Sequence, residues 1–209
     1  MATHKTYLYP VWIRLWHLVN GLTFLVLLVT GISLHYSGAT GGFIRFNTAV
    51  SLHNVAAIIL ILNYGVFLIG NLVSANGKYY TRVVEDARKN ALTQARYYMF
   101  GVFKNEPHPF AINEERKFNP LQKIAYVAVM FVCMPLIIIS GLGLLFPETV
   151  LMQVFGTSGL VLTDYLHQIM AFVFTVFLLV HIYLCTLGDK PGTLFKSMVN
   201  GYHEEHVQD

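Results

Sequence analysis

An all-α membrane protein, a four-helix transmembrane bundle running up-down-up-down, is the fold class this sequence predicts. Three observations predict it. The 209 residues are 55% hydrophobic and only 12% charged, well away from the usual soluble balance. Four nearly uncharged apolar runs, at about 11–34, 50–72, 121–146 and 161–187, each exceed the roughly 20 residues that a helix needs to cross about 30 Å of hydrocarbon. Basic residues are placed unevenly: nine of the fourteen Lys and Arg lie between Lys78 and Lys123, Lys5 and Arg14 precede or open the first run, Lys190 and Lys196 follow the last, and 147–160 has none. By the positive-inside rule both termini and the central loop, 73–120, are expected to be cytoplasmic, with the two short loops facing outward. The chain 1–209 reads as a single integral membrane domain.

The elements follow in order. The first run is too long for the apolar core of a signal peptide and no small-residue cleavage site follows it, so it is expected to remain as the first span. It carries His17 about six residues in, and Gly21 one turn later. The second span carries His53 about three residues in. The central loop opens with "TRVVEDARKNALTQARYYMFGVF", where Val84, Ala87, Ala91, Ala95, Tyr98 and Val102 recur near a helical period. This predicts an amphipathic helix lying on the cytoplasmic surface, against the alternative of a solvated linker. "NEPHPFAINEERKFNPL" then carries three prolines and must lead irregularly into the third span. Asn119 before Pro120 is an ordinary helix cap for that span. The fourth span has a histidine near each end, His167 and His181, with thirteen uncharged residues between them.

Several chemistries have no foothold. The sequence shows no internal repeat, no low-complexity tract, no GxGxxG, no P-loop and no HExxH. Cys133 and Cys185 sit inside apolar spans without CxxC or zinc spacing and read as packing residues. The basic residues are explained by topology, so no nucleic-acid partner is expected.

The histidines carry the functional signal. His17 and His181 each fall about 9 Å from the cytoplasmic end of their helices, at roughly 1.5 Å per residue, while His53 and His167 fall near the outer side. Fourteen residues at about 100° each bring His167 and His181 back to one face, about 21 Å apart along the axis. That is room for two porphyrins, each held between imidazoles of two helices, so His17, His53, His167 and His181 are the expected axial ligands of two haems b. A lone histidine in a span often does no more than hydrogen-bond a neighbouring helix, but four at matched depths, in a setting where polar groups are costly, point to function. Gly31, Gly65, Gly70, Gly141 and Gly143 leave space for a flat ring or a close helix. His35 is an alternative outer ligand. Zinc or copper is disfavoured, because the pairs are too distant to share an ion and no carboxylate or thiolate completes either one. Arg14 and Lys190 lie where haem propionates would emerge.

"RLWHLVNGLTFLVLLVTGI", "SLHNVAAIILIL", "FNPLQKIAYVAVMFVCMPLIIISGLGLLFP" and "HQIMAFVFTVFLLVH" resemble the di-haem cytochrome b subunits of bacterial membrane-bound oxidoreductases. That group includes the formate dehydrogenase gamma subunit and the cytochromes b of nickel-iron hydrogenase and thiosulfate reductase. The "NPLQKIAY" entry to the third span looks most like the thiosulfate reductase type. The resemblance implies a bacterial inner-membrane protein in which His17 and His181 ligate the inner haem, His53 and His167 the outer one. It implies a quinone, menaquinone or ubiquinone, at Asn119 with Gln122 beside the inner haem, although Leu121 departs from the small residue the family has there. It further implies a peripheral redox partner on the outer face: an iron–sulfur protein, a molybdenum or nickel subunit, or a multihaem cytochrome c. Rival readings are a haem-free membrane anchor, a proton-relay transporter subunit and a self-contained transmembrane reductase. For proton relay the sequence offers Asp164 alone, at a span boundary.

Overall fold

Each apolar run becomes one helix in the computed structural model, which describes residues 3–40, 42–81, 87–104, 106–110, 115–188 and 192–206. The spans are α1 (Val11–His35), α2 (Phe46–Val73), then, after the surface helix α3 (Ala87–Arg96), α4 (Pro120–Leu145) and α5 (Gly159–Cys185). All four spans are long and apolar enough to cross a membrane. α2 begins four residues ahead of its apolar run, at a turn where the Ser51 hydroxyl donates to the Asn47 carbonyl. Hydropathy marks the lipid-facing length of a helix, whereas its backbone bonds carry it further.

α1 packs most closely on α2, and α4 on α5. The first pair is locked by reciprocal bonds: the Trp16 indole donates to the Asn63 carbonyl at 3.0 Å and the Asn63 amide to the Trp16 carbonyl at 3.1 Å. Gly70 permits the contact below, since a Cβ there would lie 2.6 Å from the Trp12 ring. The two halves meet in a core of Leu60, Phe67, Val129, Met130, Met134 and Phe174. The outward faces carry Leu62, Ile69, Phe172 and Leu179, all exposed, as expected where lipid replaces water as the solvent.

α4 is broken by a π turn at Val129–Cys133. Pro135 explains it: without an N–H it cannot bond the preceding turn, and the Tyr64 hydroxyl of α2 donates instead to the freed Met130 carbonyl at 2.8 Å.

The connection between α4 and α5 folds into a hairpin with a two-residue turn, and a further strand lies near the start of the chain. That first strand, β1 (Thr3–Tyr7), precedes β2 (Gln153–Val154) and β3 (Thr157–Ser158) of the hairpin, where Phe155 and Gly156 both have positive φ. After α5 come α6 (Thr193–Asn200) and β4 (Tyr202–His206), which pairs antiparallel with β1 from Thr3↔His206 to Tyr7↔Tyr202. Gly201, at φ +88°, makes the turn between them, and a Cβ there would strike the Tyr7 ring. The Arg14 guanidinium donates to the Val199 carbonyl. Both termini therefore meet at one end of the bundle, called here the terminal end.

In the central loop α3 runs on through a π turn at Tyr97–Gly101. Residues 82–86, including Val84 of the periodic stripe, lie outside the described residues. Ala91, Ala95, Tyr98 and Val102 are half-buried, Gln94, Tyr97 and Gly101 are buried, and Leu92, Met99 and Phe103 are exposed.

Candidate functional site

The fold brings the four span histidines together as two pairs. His17 of α1 faces His181 of α5 at the terminal end, with ring centres 6.0 Å apart. His53 of α2 faces His167 of α5 at the far end, with ring centres 6.3 Å apart. Two imidazole nitrogens bonded to one ion at the usual metal–histidine length of about 2.0–2.1 Å set their ring centres roughly 6 Å apart, so both gaps match a shared axial position. No cluster of three or more His, Cys, Asp or Glu suited to a metal ion occurs among the described residues. Each pair could supply two imidazole ligands to a bound macrocycle. His35, the alternative outer ligand, is exposed at the end of α1 against Tyr36 and joins neither pair.

Hydroxyl groups hold the far-end pair. Thr30 Oγ1 donates its one proton to the Val26 carbonyl at 2.7 Å and lies 2.9 Å from His53 Nδ1. Ser140 Oγ donates to Leu136 at 2.8 Å and lies 3.1 Å from His167 Nδ1. With its proton committed, each oxygen accepts from Nδ1–H, which leaves the Nε2 lone pair of each ring free for iron. Glycines next to these hydroxyls let the rings come close. A Cβ at Gly31 would sit 3.5 Å from the His53 ring, and one at Gly141 would sit 3.2 Å from that of His167. At the terminal end, the Tyr126 hydroxyl is 3.5 Å from His181 Nδ1, Cys185 Sγ is 3.9 Å from its Nε2, and Phe177 stacks on the ring. Arg14 Nε and Asn20 Oδ1, three residues either side of His17, are buried with no hydrogen-bond partner among the described residues. Stranded polar atoms and a gap of this width suit a macrocycle with polar substituents.

The residues expected at a quinone pocket have other work in this structure. Asn119 caps α4: its Oδ1 accepts from Gln122 N at 2.8 Å, and Gln122 Oε1 accepts from Asn119 N at 3.3 Å. The Asn119 side-chain amide nitrogen donates to the Tyr98 hydroxyl at 2.7 Å. Tyr98, on the surface helix, keeps its own proton to donate. Burial pushes its phenol up to about 12, with the Asn119 amide as the largest opposing influence, so it remains a donor at neutral pH. One turn earlier Gln94 is wholly buried, its side-chain amide turned toward the Tyr98 hydroxyl.

Lys117 lies close by, 2% exposed, its Nζ donating to Asn76 Oδ1 at 2.7 Å and facing the rings of Tyr9, Tyr79 and Phe118. Desolvation lowers its ammonium to about 8 and raises the Tyr9 phenol to about 12. Thr30, Ser140, Gln94, Tyr98 and Lys117 were not singled out from sequence as binding or positioning residues. A small hydroxyl followed by glycine in a span was the available signal for the first two; for the others there was none, because loop residues are placed by tertiary packing. Lys190 lies outside the described residues.

A bundle of apolar helices that aligns imidazoles in facing pairs defines a membrane cytochrome of the b type. The chain belongs to the prokaryotic cytochrome b561 family, whose profile matches residues 8–201. It is 38% identical over 199 residues to "Putative cytochrome YdhU" of Escherichia coli (strain K12), an alignment spanning 95% of this chain and 75% of the relative. No solved structure matches it. It is therefore a haem b protein of a prokaryotic membrane that acts in electron transfer.

Proposed function

We propose that the chain is a di-haem cytochrome b subunit, of the thiosulfate reductase type, that carries electrons across the bacterial inner membrane between the quinone pool and a redox partner on the outer face. The observation that carries this reading is the presence of two imidazole pairs, each at iron-bridging distance, near opposite ends of one bundle. His17 and His181 would hold the inner haem, at the terminal end and on the cytoplasmic side. His53 and His167 would hold the outer one. Bound haem supplies reversible one-electron chemistry, with a potential set by its axial ligands and their surroundings. The protein's own part is to fix the imidazoles, exclude water with the apolar core between the sites, and bind quinone beside the inner pair.

For that last task Gln94 and Tyr98 are better placed than Asn119. A quinone carbonyl needs a donor, which Tyr98 O–H and Gln94 Nε2 supply; a quinol hydroxyl needs an acceptor, which Gln94 Oε1 supplies. Asn119, with Gln122 holding the cap, positions Tyr98. Arg14, one turn before His17, would pair with a propionate. The substrate half-reaction belongs to the partner, an iron–sulfur, molybdenum, nickel or multihaem cytochrome c subunit.

Haem per polypeptide, measured as the pyridine complex of the purified chain, tests the reading together with reduction by a quinol. Two haems reduced by quinol are expected. His181→Ala should remove one haem and the quinol reaction, and His53→Ala should remove one haem and spare it. One haem in the wild type, or both retained in His181→Ala, overturns the assignment.

A further inference from the structure

The two histidine pairs differ in what engages their second nitrogen. At the far end both rings give Nδ1–H to a hydroxyl anchored on a neighbouring helix, Thr30 at 2.9 Å and Ser140 at 3.1 Å. At the terminal end the second nitrogen of His181 has a 3.5 Å contact to the Tyr126 hydroxyl, and His17 makes ring contacts with Trp16 and His181 and no such bond among the described residues. Serine and threonine in membrane helices commonly bond back to their own helix, and these two do. What ordinary back-bonding does not explain is that both oxygens also meet a histidine Nδ1, each beside a glycine that lets the ring approach. The arrangement occurs twice, Thr30-Gly31 on α1 against His53 and Ser140-Gly141 on α4 against His167.

Resting on the two-haem reading above, we infer that Thr30 and Ser140 are positioning residues that set the potential of the far-end haem site below that of the terminal-end site. An acceptor on Nδ1–H fixes the Nε2-ligating tautomer and makes Nε2 more basic. A more basic axial ligand favours the ferric state, which lowers the reduction potential. The nearby charges mostly act in the same direction. Asp164 lies one turn before His167, while Arg14 lies one turn before His17 and Lys117 is buried at the terminal end. Arg45, in the connection before α2, is the opposing charge at the far end.

Redox titration of the full-length protein followed optically tests this, with the far-end component identified by its loss in His53→Ala. The lower-potential component should be the far-end one. Thr30→Val should raise it by about tenfold in the reduction equilibrium, about 59 mV for a one-electron couple, and leave the other component in place. Thr30→Ser should restore the wild-type value. Ser140→Ala should give a smaller rise, because the Ile137 carbonyl also hydrogen-bonds His167, and it carries the test by the same criteria if Thr30→Val loses haem. An unmoved far-end component in a variant that keeps both haems overturns the inference, as does an equal shift of both components or a far-end component that titrates higher. A wild-type chain with fewer than two haems overturns the two-site reading itself.

Discussion

At the scale of single residues, the terminal end shows how burial assigns roles. Lys117 is a cation with no carboxylate beside it among the contacts described, held by one amide oxygen and three aromatic faces. Its pKa of about 8 in the fold lies below the ordinary 10.5. Below pH 8 it is charged in both states, and the folded state bears the full cost of burying the charge. Between pH 8 and 10.5 the unfolded chain binds the proton that the folded one has released, so stability rises with pH across that window. Thermal unfolding in detergent should show this rise, and Lys117→Met should abolish it while adding about 2–3 kcal/mol at pH 7. Asn119 can be dissected likewise. Asn119→Ser retains a cap and loses the donor to Tyr98, so quinol KM should rise severalfold with little change in melting temperature. Asn119→Ala should lose about 1 kcal/mol as well. Equal stability losses in the two variants would argue against separate roles.

At the scale of elements, the spans are held together by a few polar or close contacts rather than by a hydrophobic effect between helices, since lipid is as apolar as leucine. The Tyr64 bond to Met130 is one such contact, answering a vacancy that Pro135 creates in α4. Tyr64→Phe should leave that carbonyl unpaired in an apolar setting and cost about 1–2 kcal/mol, read as a lower melting temperature with haem content unchanged. Gly70 is another. Gly70→Val should push Trp12 aside and separate α1 from α2 at the terminal end, a loss of about 1–3 kcal/mol measurable in the same assay. The sequence made the four spans legible because a 20-residue apolar run has one stable form in lipid. It left the π turn and the start of α2 illegible, since hydropathy does not report which backbone groups find partners.

At the scale of the whole molecule, β1 pairing with β4 puts both termini at one end, consistent with an even number of crossings. From the charge distribution we propose that this end faces the cytoplasm. Green fluorescent protein fused to either terminus should fluoresce, while alkaline phosphatase fused to either should stay inactive; the reverse pattern at either terminus refutes the orientation. The sequence by itself determined the membrane class, the four spans and the four histidines, because each rests on residue type and one-dimensional spacing along a helix of known rise. Only the tertiary structure decided that these histidines face one another at 6.0 and 6.3 Å. Only it turned Thr30 and Ser140 toward the far-end imidazoles, committed Asn119 to a cap, and buried Gln94 and Lys117. Those outcomes depend on which helix faces meet and how a long loop folds back on them, and no period along the chain encodes either one.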